Sequence, residues 1–304
     1  MTDTFQLFTS IRFDWSLAST ADEVAWDVGW NSKNASPFYM LDLHRDRLLR
    51  GARHWGWTGA VNAIEGEDGL ARLDDFLQTS LKQSGRWDHR EQEQQQQQQP
   101  LRLKIILAQD GKLTLESYPA SNTSLSNLFP GQLPAPNSSK DGRSSPDRPR
   151  DLDNPLQTLE LSPVYDVYVD DATTSSSAFT HFKTTRRDMY DAARERVGLQ
   201  PTDVTKEVLI VDEETGLIME GSLTTPYFWR GGRWVTPLVS DSHSSGQVWA
   251  GSGGQNGTTR RWALERGIAE QEAVEASSVV DGEAVWLSNG VRGFIFGRVR
   301  LAVA

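Results

Sequence analysis

The stretch that decides the fold of this chain is HFKTTRRDMYDAARERVG, residues 181–198, followed by EVLIVDEETGLIMEGSLTTPYF, residues 207–228. The first segment begins with aromatic residues and continues as an amphipathic helix. The second predicts a buried strand, a turn and a further strand. Lys183 stands at the mouth of the helix, and Glu220 follows 37 residues later, where the chain leaves a strand and turns.

Lys183 and Glu220 together fit a pyridoxal cofactor. An aldehyde cofactor needs an amine that holds it covalently, and its ring nitrogen needs a carboxylate that keeps it protonated, so that the ring accepts electrons from a carbanion. Burial and the neighbouring cations Arg186 and Arg187 would lower the pKa of Lys183 and make it nucleophilic. A solvated basic helix start and an ordinary turn glutamate are the alternatives, and the two residues alone leave them open.

Composition narrows the class of protein. The chain has 304 residues, enough for two domains, and a formal net charge of -10, which argues against binding to a phosphate backbone. It has no cysteine, which excludes disulfides and thiolate metal sites, and its five histidines lack metal-site spacing. It shows no apolar run long enough for a membrane and no signal-peptide pattern at its start. We therefore expect a cytoplasmic enzyme for a small molecule that binds neither nucleic acid, membrane nor metal.

Hydrophobic periodicity predicts an α+β protein with two domains. The expected N-terminal α/β domain, residues 1–118, combines strands with two amphipathic helices and contains a hairpin at Asp110-Gly111. The expected C-terminal domain, residues 157–304, has seven short strands, the first at LQTLELSP, residues 156–163. Only two helices separate these strands, which favours an α+β domain over a doubly wound one.

Two polar segments interrupt this pattern. Residues 86–100 contain six consecutive glutamines, and residues 119–156 are rich in Pro, Ser, Asn and Asp. Neither composition can bury enough apolar surface to offset the entropy lost when the backbone is ordered. We interpret the first segment as a solvated insertion and the second as a disordered linker between the domains. Both are expected to be dispensable for folding.

Two other segments have the chemistry to hold a phosphate. The glycine-rich segment GSGGQNGTTRR, residues 251–261, opens onto a predicted helix at Thr258 and Thr259, and a helix start presents free N-H groups and the positive end of the helix dipole. Arg47, on the same predicted helix as His44, could pair with the same phosphate. A plain flexible connection and a surface salt bridge are the alternatives for these two features.

A resemblance to the class IV, or fold-type IV, pyridoxal-phosphate (PLP) enzymes is carried, in chain order, by FYMLDLHRDRLLRGA, FKTTRRDMY, LIMEGSLTTPYF, NGTTRR and VWLSNGVRGF. It covers nearly the whole chain apart from the two polar segments. It implies a two-domain fold in which Lys183 binds the cofactor covalently, Glu220 contacts the ring nitrogen, and the phosphate is held by Arg47, Thr258 and Thr259.

Within this family the sequence is most similar to the fungal 4-amino-4-deoxychorismate lyases. FTSIRFD near the start and LSNGVRGF near the end resemble the F-E-T-L-R and T-N-S-L-R-G segments of those lyases, and low-complexity insertions suit a eukaryotic member. The resemblance implies a homodimer that eliminates pyruvate from 4-amino-4-deoxychorismate and releases 4-aminobenzoate for folate biosynthesis, with Lys183 as proton carrier. Branched-chain, D-amino-acid and R-amine aminotransferases are the alternatives, and a non-catalytic relative that keeps the fold is another.

Three residues are candidates for contact with the substrate. Asn289 and Arg292 match the lyase segment, and Arg12 lies in the lyase-like opening. A substrate with two carboxylates favours guanidinium partners, although Arg12 and Arg292 could equally be surface arginines. The sequence departs from the family pattern at Thr225, where asparagine is usual. This departure puts the usual hydrogen bonding around the turn after Glu220 in question.

Overall fold

The computed structural model describes residues 5–19, 28–87, 99–136, 159–239 and 251–301. The helices and strands in these ranges build two sheets and give the α+β fold that the sequence predicts. None of the helices in these ranges is long and apolar enough to cross a membrane. The division into two domains stays a prediction.

The first sheet has three antiparallel strands, β1 (Leu7–Phe13), β2 (Leu101–Leu107) and β3 (Leu113–Pro119). The predicted hairpin joins β2 to β3. Gly111 in its turn has a φ of 91°, a left-handed conformation that glycine adopts without steric cost. A Cβ atom at Gly111 would lie 2.5 Å from the carbonyl oxygen of Gly59, so the turn also packs directly on a neighbouring backbone.

Helices cover one face of this sheet. After the short α1 (Trp30–Lys33) come α2 (Leu41–His54), α3 (Thr58–Ile64) and α4 (Gly66–Gln83). In α2, Leu41, Leu48 and Ala52 recur at the predicted three- and four-residue spacing and are fully or almost fully buried. The Asn31 side chain accepts a hydrogen bond of 2.9 Å from the Met40 N-H, which fixes the entry of the chain into α2.

The two faces of the first sheet have different surroundings. Successive side chains of a strand point to opposite faces. Ile11, Leu103 and Ile105 are therefore buried among the helices, whereas Ser10 and Lys104 line a cavity on the other side. The alternation along β1 and β2 thus separates an apolar core face from a polar face that borders the candidate site.

The second sheet has eight strands: β4 (Tyr165–Thr174), β5 (Lys206–Asp212), β6 (Ile218–Gly221), β7 (Thr225–Arg230), β8 (Arg233–Pro237), β9 (Glu270–Glu272), β10 (Ala284–Asn289) and β11 (Gly293–Val299). Their order across the sheet is β6-β5-β4-β11-β10-β7-β8-β9. The β4–β5, β4–β11 and β8–β9 pairs are parallel, and the others are antiparallel. Ile210 of β5 pairs with Glu220, which places that glutamate on the edge strand β6.

Four helices accompany this sheet: α5 (Leu125–Leu128), α6 (Ala178–His181), α7 (Asp188–Arg196) and α8 (Thr258–Glu265). Short 3₁₀ turns lie at Trp15–Ser19 and Ala276–Ser278. A capping box closes the start of α6, in which the side chains of Ser177 and Thr180 satisfy the free N-H groups. Because α6 ends just before Lys183, this cap helps to fix the position at which the chain leaves the helix and reaches the lysine.

The first sheet contacts the C-terminal half of the chain at the backbone of Lys183. The Phe8 N-H donates to the Lys183 carbonyl oxygen over 3.1 Å, and the Thr185 N-H donates to the Gln6 carbonyl oxygen over 2.9 Å. Leu7 and Thr184 form an antiparallel bridge between these bonds. Residues 183–185 therefore extend the edge of the first sheet, and the position of Lys183 depends on both halves of the chain.

The prediction that residues 119–156 form a disordered linker was wrong for residues 119–136. This part contains α5, and Phe129 is 1% exposed with its ring centroid 5.8 Å from that of Trp262. The Leu133 carbonyl oxygen accepts a 3.0 Å hydrogen bond from the indole of Trp234. Composition averaged over the whole segment obscured a few apolar residues that supply a packed core. Residues 137–156 lie outside the described residues.

The predicted solvated insertion, residues 86–100, also needs a correction at its start. The Trp87 ring packs against Phe13, with ring centroids 5.8 Å apart, and against Trp15, with centroids 5.1 Å apart. Trp87 therefore belongs to the helix-covered core, and the corrected insertion begins after it. Residues 88–98, which include the start of the polyglutamine run, lie outside the described residues.

The strand predicted at residues 156–163 is not found in its described part, residues 159–163. The backbone there has another hydrogen-bonding partner. The Asn127 side chain donates to the Glu160 carbonyl oxygen over 3.0 Å and accepts from the Glu160 N-H over 2.7 Å. A side chain from α5 thus replaces a neighbouring strand, and the first strand of this half begins at Tyr165.

Candidate active site

A cavity of about 670 Å³ lies beside the polar face of the first sheet. Its other walls are the turn between β6 and β7, the start of α8 and the loop between β10 and β11. The cavity brings together seven of the eight residues that the sequence predicts for the site: Arg47, Lys183, Glu220, Thr258, Thr259, Asn289 and Arg292. The eighth, Arg12, does not line it.

Lys183 extends into the cavity from the segment after α6. Its ammonium nitrogen lies 5.0 Å from the centroid of the Phe8 ring. Burial lowers the pKa of Lys183 well below its ordinary value, Arg187 and Arg47 lower it further, and Glu220 opposes the shift. Arg186, the other predicted cation, instead stacks on Phe179. The lowered pKa favours the neutral, nucleophilic amine that an aldehyde cofactor requires.

Glu220 is a buried carboxylate on β6. It accepts a short hydrogen bond from the Tyr190 hydroxyl and a 3.4 Å bond from the Gln255 side-chain amide. Burial raises the pKa of Glu220 to about 7, while the bond from Tyr190 and the charge of Lys183 act in the opposite direction. The site thus holds a carboxylate that would gain a charge partner from a protonated ring nitrogen.

Arg47 is oriented by a hydrogen-bonded chain from β1 to α2. Its guanidinium donates to the Thr9 hydroxyl, which lies 2.6 Å from Nδ1 of His44. Because arginine only donates, the Thr9 hydroxyl accepts from Arg47, and the direction of its bond to His44 depends on which ring nitrogen carries the proton. Burial lowers the pKa of His44 well below its ordinary value, which favours the neutral ring. The Arg47 side chain is thereby fixed at one end of the cavity.

The start of α8 forms the same end of the cavity. The first N-H groups of a helix have no intrahelical acceptor, and Gly257, which precedes α8, offers no side chain that could cap them. The Thr259 hydroxyl lies 2.8 Å from that of Ser288. The buried Thr258 Oγ1 and the buried Arg47 Nε have no hydrogen-bond partner among the described residues. Two buried donors and a helix N-terminus fit an anionic group such as a phosphate.

The turn between β6 and β7 is held by a carboxylate that the sequence did not single out. Glu207, at the start of β5, is 1% exposed and accepts hydrogen bonds of 2.6 Å from Ser222 Oγ, 3.1 Å from the Leu223 N-H and 2.8 Å from Thr224 Oγ1. Thr225 follows this turn and is buried beside the cavity. The turn therefore has a dense hydrogen-bond network although Thr225 replaces the usual asparagine.

Arg12 does not line the cavity, so the structure does not support the prediction that it contacts the substrate. Arg12 is 1% exposed, its charge is paired with Asp14 at 2.6 Å, and it also donates to the Ser121 carbonyl oxygen over 2.9 Å and the Val291 carbonyl oxygen over 3.2 Å. Ser121 and Val291 line the cavity. Arg12 therefore ties two parts of the wall together from behind. Asp14, two residues along the chain, was the available sequence signal.

Asn289 ends β10, Arg292 lies in the loop that follows, and their surroundings differ. The Asn289 side-chain oxygen accepts from the Val291 N-H over 3.0 Å and from the Arg292 N-H over 2.9 Å, so it shapes the loop. The Arg292 guanidinium lies 5.9 Å from the centroid of the Tyr165 ring and forms no ion pair with a described carboxylate. Arg292 thus remains a candidate for binding a substrate carboxylate.

The fold and site define the class of protein. The family model for amino-transferase class IV matches residues 93–298, more than half of the chain, and the chain therefore belongs to that family. Its members depend on PLP, and the donor set of the cavity fits this cofactor: an amine with a lowered pKa, a buried carboxylate, and buried donors that lack an acceptor. The family predicted from the sequence is confirmed.

Individual relatives include enzymes of two kinds. The chain is 33% identical over 148 residues to the aminodeoxychorismate lyase of Saccharomyces cerevisiae, a match that covers 45% of this chain and 37% of the yeast protein. A proposed amino-acid aminotransferase from Mesorhizobium loti is 18% identical with a TM-score of 0.57, covering 98% of this chain and 100% of that one. A proposed 4-amino-4-deoxychorismate lyase from Legionella pneumophila is 14% identical with a TM-score of 0.55, covering 97% and 82%.

Proposed function

We propose that the protein is a PLP-dependent 4-amino-4-deoxychorismate lyase, which eliminates pyruvate and releases 4-aminobenzoate. The observation that carries the choice of reaction is the 33% identity to the yeast lyase. That match covers 37% of the yeast protein. The residues that line the cavity give independent support for the PLP-binding part of the proposal. A homodimer, which the family resemblance implies, and a cytoplasmic location, which the sequence features predict, are further predictions.

The proposed cofactor residues divide into three groups. Lys183 would bind the aldehyde covalently, Glu220 would face the ring nitrogen, and the phosphate would be held by Arg47, Thr258 and Thr259. When bound, PLP supplies an electron sink for the carbanion that forms at the substrate carbon bearing the amine. The buried donors without acceptors at Arg47 and Thr258 support this direction of binding.

Lys183 is the proposed proton carrier. Its lowered pKa favours a neutral Nζ, which can accept the proton from the ring carbon that bears the substrate amine. The same ammonium can then return a proton to the departing three-carbon enolate, which leaves as pyruvate. When it is ionised, Glu220 would place a negative charge next to the ring nitrogen, and its burial reduces the screening of this charge by water.

A class IV aminotransferase is the second candidate, because the family model that matches this chain is that of amino-transferase class IV. The Mesorhizobium loti protein shares the fold over the whole chain. The Legionella pneumophila protein has nearly the same TM-score, so the fold does not separate the two reactions. Their cofactor requirements are shared, but their co-substrates differ. A transaminase needs an amino acceptor to complete its cycle, whereas a lyase needs none.

The test is an assay for 4-aminobenzoate with purified PLP-loaded protein, 4-amino-4-deoxychorismate and no keto acid. We expect equal amounts of 4-aminobenzoate and pyruvate. The Lys183→Ala variant should form neither, and Lys112→Ala, which removes an exposed lysine of the hairpin turn, should match the unmodified protein. Parallel reactions with 2-oxoglutarate and leucine, D-alanine or an R-amine test the alternative. Transamination without 4-aminobenzoate would overturn the lyase proposal and leave the cofactor proposal intact.

A further inference from the structure

A tyrosine that the sequence did not single out lies against Glu220. Tyr190, on α7, is 1% exposed, and its hydroxyl donates to Glu220 Oε1 and lies 3.2 Å from the Thr180 carbonyl oxygen. The Gln255 side-chain amide donates to the Tyr190 oxygen over 3.2 Å and to Glu220 Oε1 over 3.4 Å. The hydroxyl therefore lies between a carboxylate and a carbonyl, two groups that both accept.

This arrangement gives the single hydroxyl proton two possible positions. When Glu220 is ionised, Tyr190 donates to it, because a carboxylate only accepts. When Glu220 is protonated, the carboxyl can donate to the tyrosine oxygen, and the hydroxyl proton can turn to the Thr180 carbonyl. Gln255 donates in both states. The same heavy atoms thus satisfy either charge state of the glutamate without rearrangement of the backbone.

We propose that Tyr190 is a positioning residue that controls whether Glu220 carries a proton, and thereby the charge offered to the cofactor's ring nitrogen. The inference rests on the proposed role of Glu220 at that nitrogen. The inference goes beyond that role, because it assigns control of the protonation of Glu220 to a residue that does not line the cavity.

The charged surroundings of Glu220 make this control effective. The groups that act on it come from three separate elements, and they are Lys183 after α6, Tyr190 and Arg187 at α7, and Arg47 on α2. Burial raises the pKa of Glu220 to about 7, and the hydrogen bond from Tyr190 is the largest opposing effect, ahead of Lys183. Burial and Glu220 together raise the pKa of Tyr190 well above its ordinary value, so the hydroxyl stays a donor.

The test is an infrared titration of the protonated Glu220 carboxyl in the full-length protein, assigned by difference from Glu220→Gln. Tyr190→Phe removes only the hydroxyl, and we expect the midpoint to rise by about one to two pH units, because the ionised form loses its strongest donor. The matched control is Tyr39→Phe. Tyr39 is an equally buried tyrosine whose hydroxyl donates to the Leu128 carbonyl, and its loss should leave the midpoint unchanged.

Two further measurements keep the outcomes distinct. If Tyr190→Phe does not fold, Gln255→Leu removes the second donor and should move the midpoint in the same direction by less. An unchanged midpoint in the folded variant, or a shift of equal size in Tyr39→Phe, would overturn the inference. Cofactor binding is read separately, from the pH dependence of PLP absorbance. If PLP fails to attach to Lys183 while the midpoint still moves, the proposed function fails and the control by Tyr190 stands.

Discussion

The two ends of the cavity have opposite hydrogen-bonding demands. At the Arg47 end, Arg47 Nε, Thr258 Oγ1 and His44 Nε2 are buried and have no partner within the described parts of the chain. At the Glu220 end, one carboxylate already accepts from Tyr190 and Gln255. One end lacks an acceptor, and the other end presents a carboxylate. Because Arg47 and Glu220 both act on the charge of Lys183, we expect this contrast to orient a ligand that the lysine holds.

Removing the lysine that is coupled to both ends should have the largest effect. Lys183→Ala should lower the rate of product formation by about 10²–10⁴-fold or more, since it removes both the covalent anchor and the proton carrier. Borohydride reduction of the PLP-loaded protein followed by peptide mapping checks the anchor. If the label were found on Lys104, which also lines the cavity, the assignment of the covalent anchor to Lys183 would be wrong.

Glu220→Gln should change how the stability of the cofactor-free protein depends on pH. The carboxyl has a pKa of about 7 when folded and an ordinary value of 4.5, so between these values the unfolded chain loses the proton and the folded chain keeps it. The stability of the unmodified protein must therefore fall as pH rises through this range. Relative to it, Glu220→Gln should gain at most about 3 kcal/mol from pH 4.5 to 8.

Urea unfolding at pH 4.5 and 8 measures this difference, and comparing the two pH values cancels the pH-independent cost of the substitution. PLP should shrink the gain, because a protonated ring nitrogen returns a positive partner to Glu220. An equal pH dependence in the two cofactor-free proteins would mean that the pKa of Glu220 is not raised.

Thr9→Val tests the other end with a smaller change. It removes the hydroxyl that accepts from Arg47 and bonds to His44, while keeping nearly the same shape. We expect PLP affinity to fall by about three- to tenfold, the equivalent of one ordinary hydrogen bond. Thr236→Val is the control, since the Thr236 hydroxyl is buried on β8 without a partner in the described structure, and its loss should be neutral or stabilising. If both variants bound PLP with equal affinity, the proposed contribution of the hydrogen-bonded chain from Thr9 to Arg47 would be wrong.

A deletion in the polar insertion sets the baseline. Deleting residues 88–98 should leave PLP affinity and the melting temperature nearly unchanged, because this composition offers little apolar surface to bury. Phe129→Ala, in the neighbouring polar segment, should instead cost about 3–5 kcal/mol of unfolding free energy, since that ring is packed in the core. Insoluble protein after the deletion would contradict the interpretation of residues 88–98.

The sequence predicted the parts of the site whose chemistry is visible in a residue and its immediate neighbours. Lys183 at a helix mouth, Glu220 at a turn and Thr258 at a helix start are of this kind, and the cavity contains all three. In the structure, Arg12 lies behind the cavity wall and forms an ion pair with Asp14. That pairing depends on side-chain direction at the end of β1, which spacing alone did not settle.

Residues whose role depends on distant partners could not be predicted. Tyr190 reaches Glu220 across 30 residues, and Glu207 reaches the turn at Ser222 across 15. The Glu207 contact follows from the register between β5 and β6, and the Tyr190 contact also requires α7 to pack on β5. β6 has four residues, too few for a hydrophobic period to be recognised. Similarly, α5 was hidden because its few apolar residues lie in a segment of polar composition.

The bridge between β1 and residues 183–185 has a consequence for the order of assembly. The strand partner that fixes the Lys183 backbone is near the start of the chain, so forming this contact closes a loop of more than 170 residues. Contacts of such long sequence separation form late because of their entropy cost. Covalent capture of the cofactor should therefore be confined to molecules in which both sheets are complete, and the yellow colour of bound PLP would report finished folding.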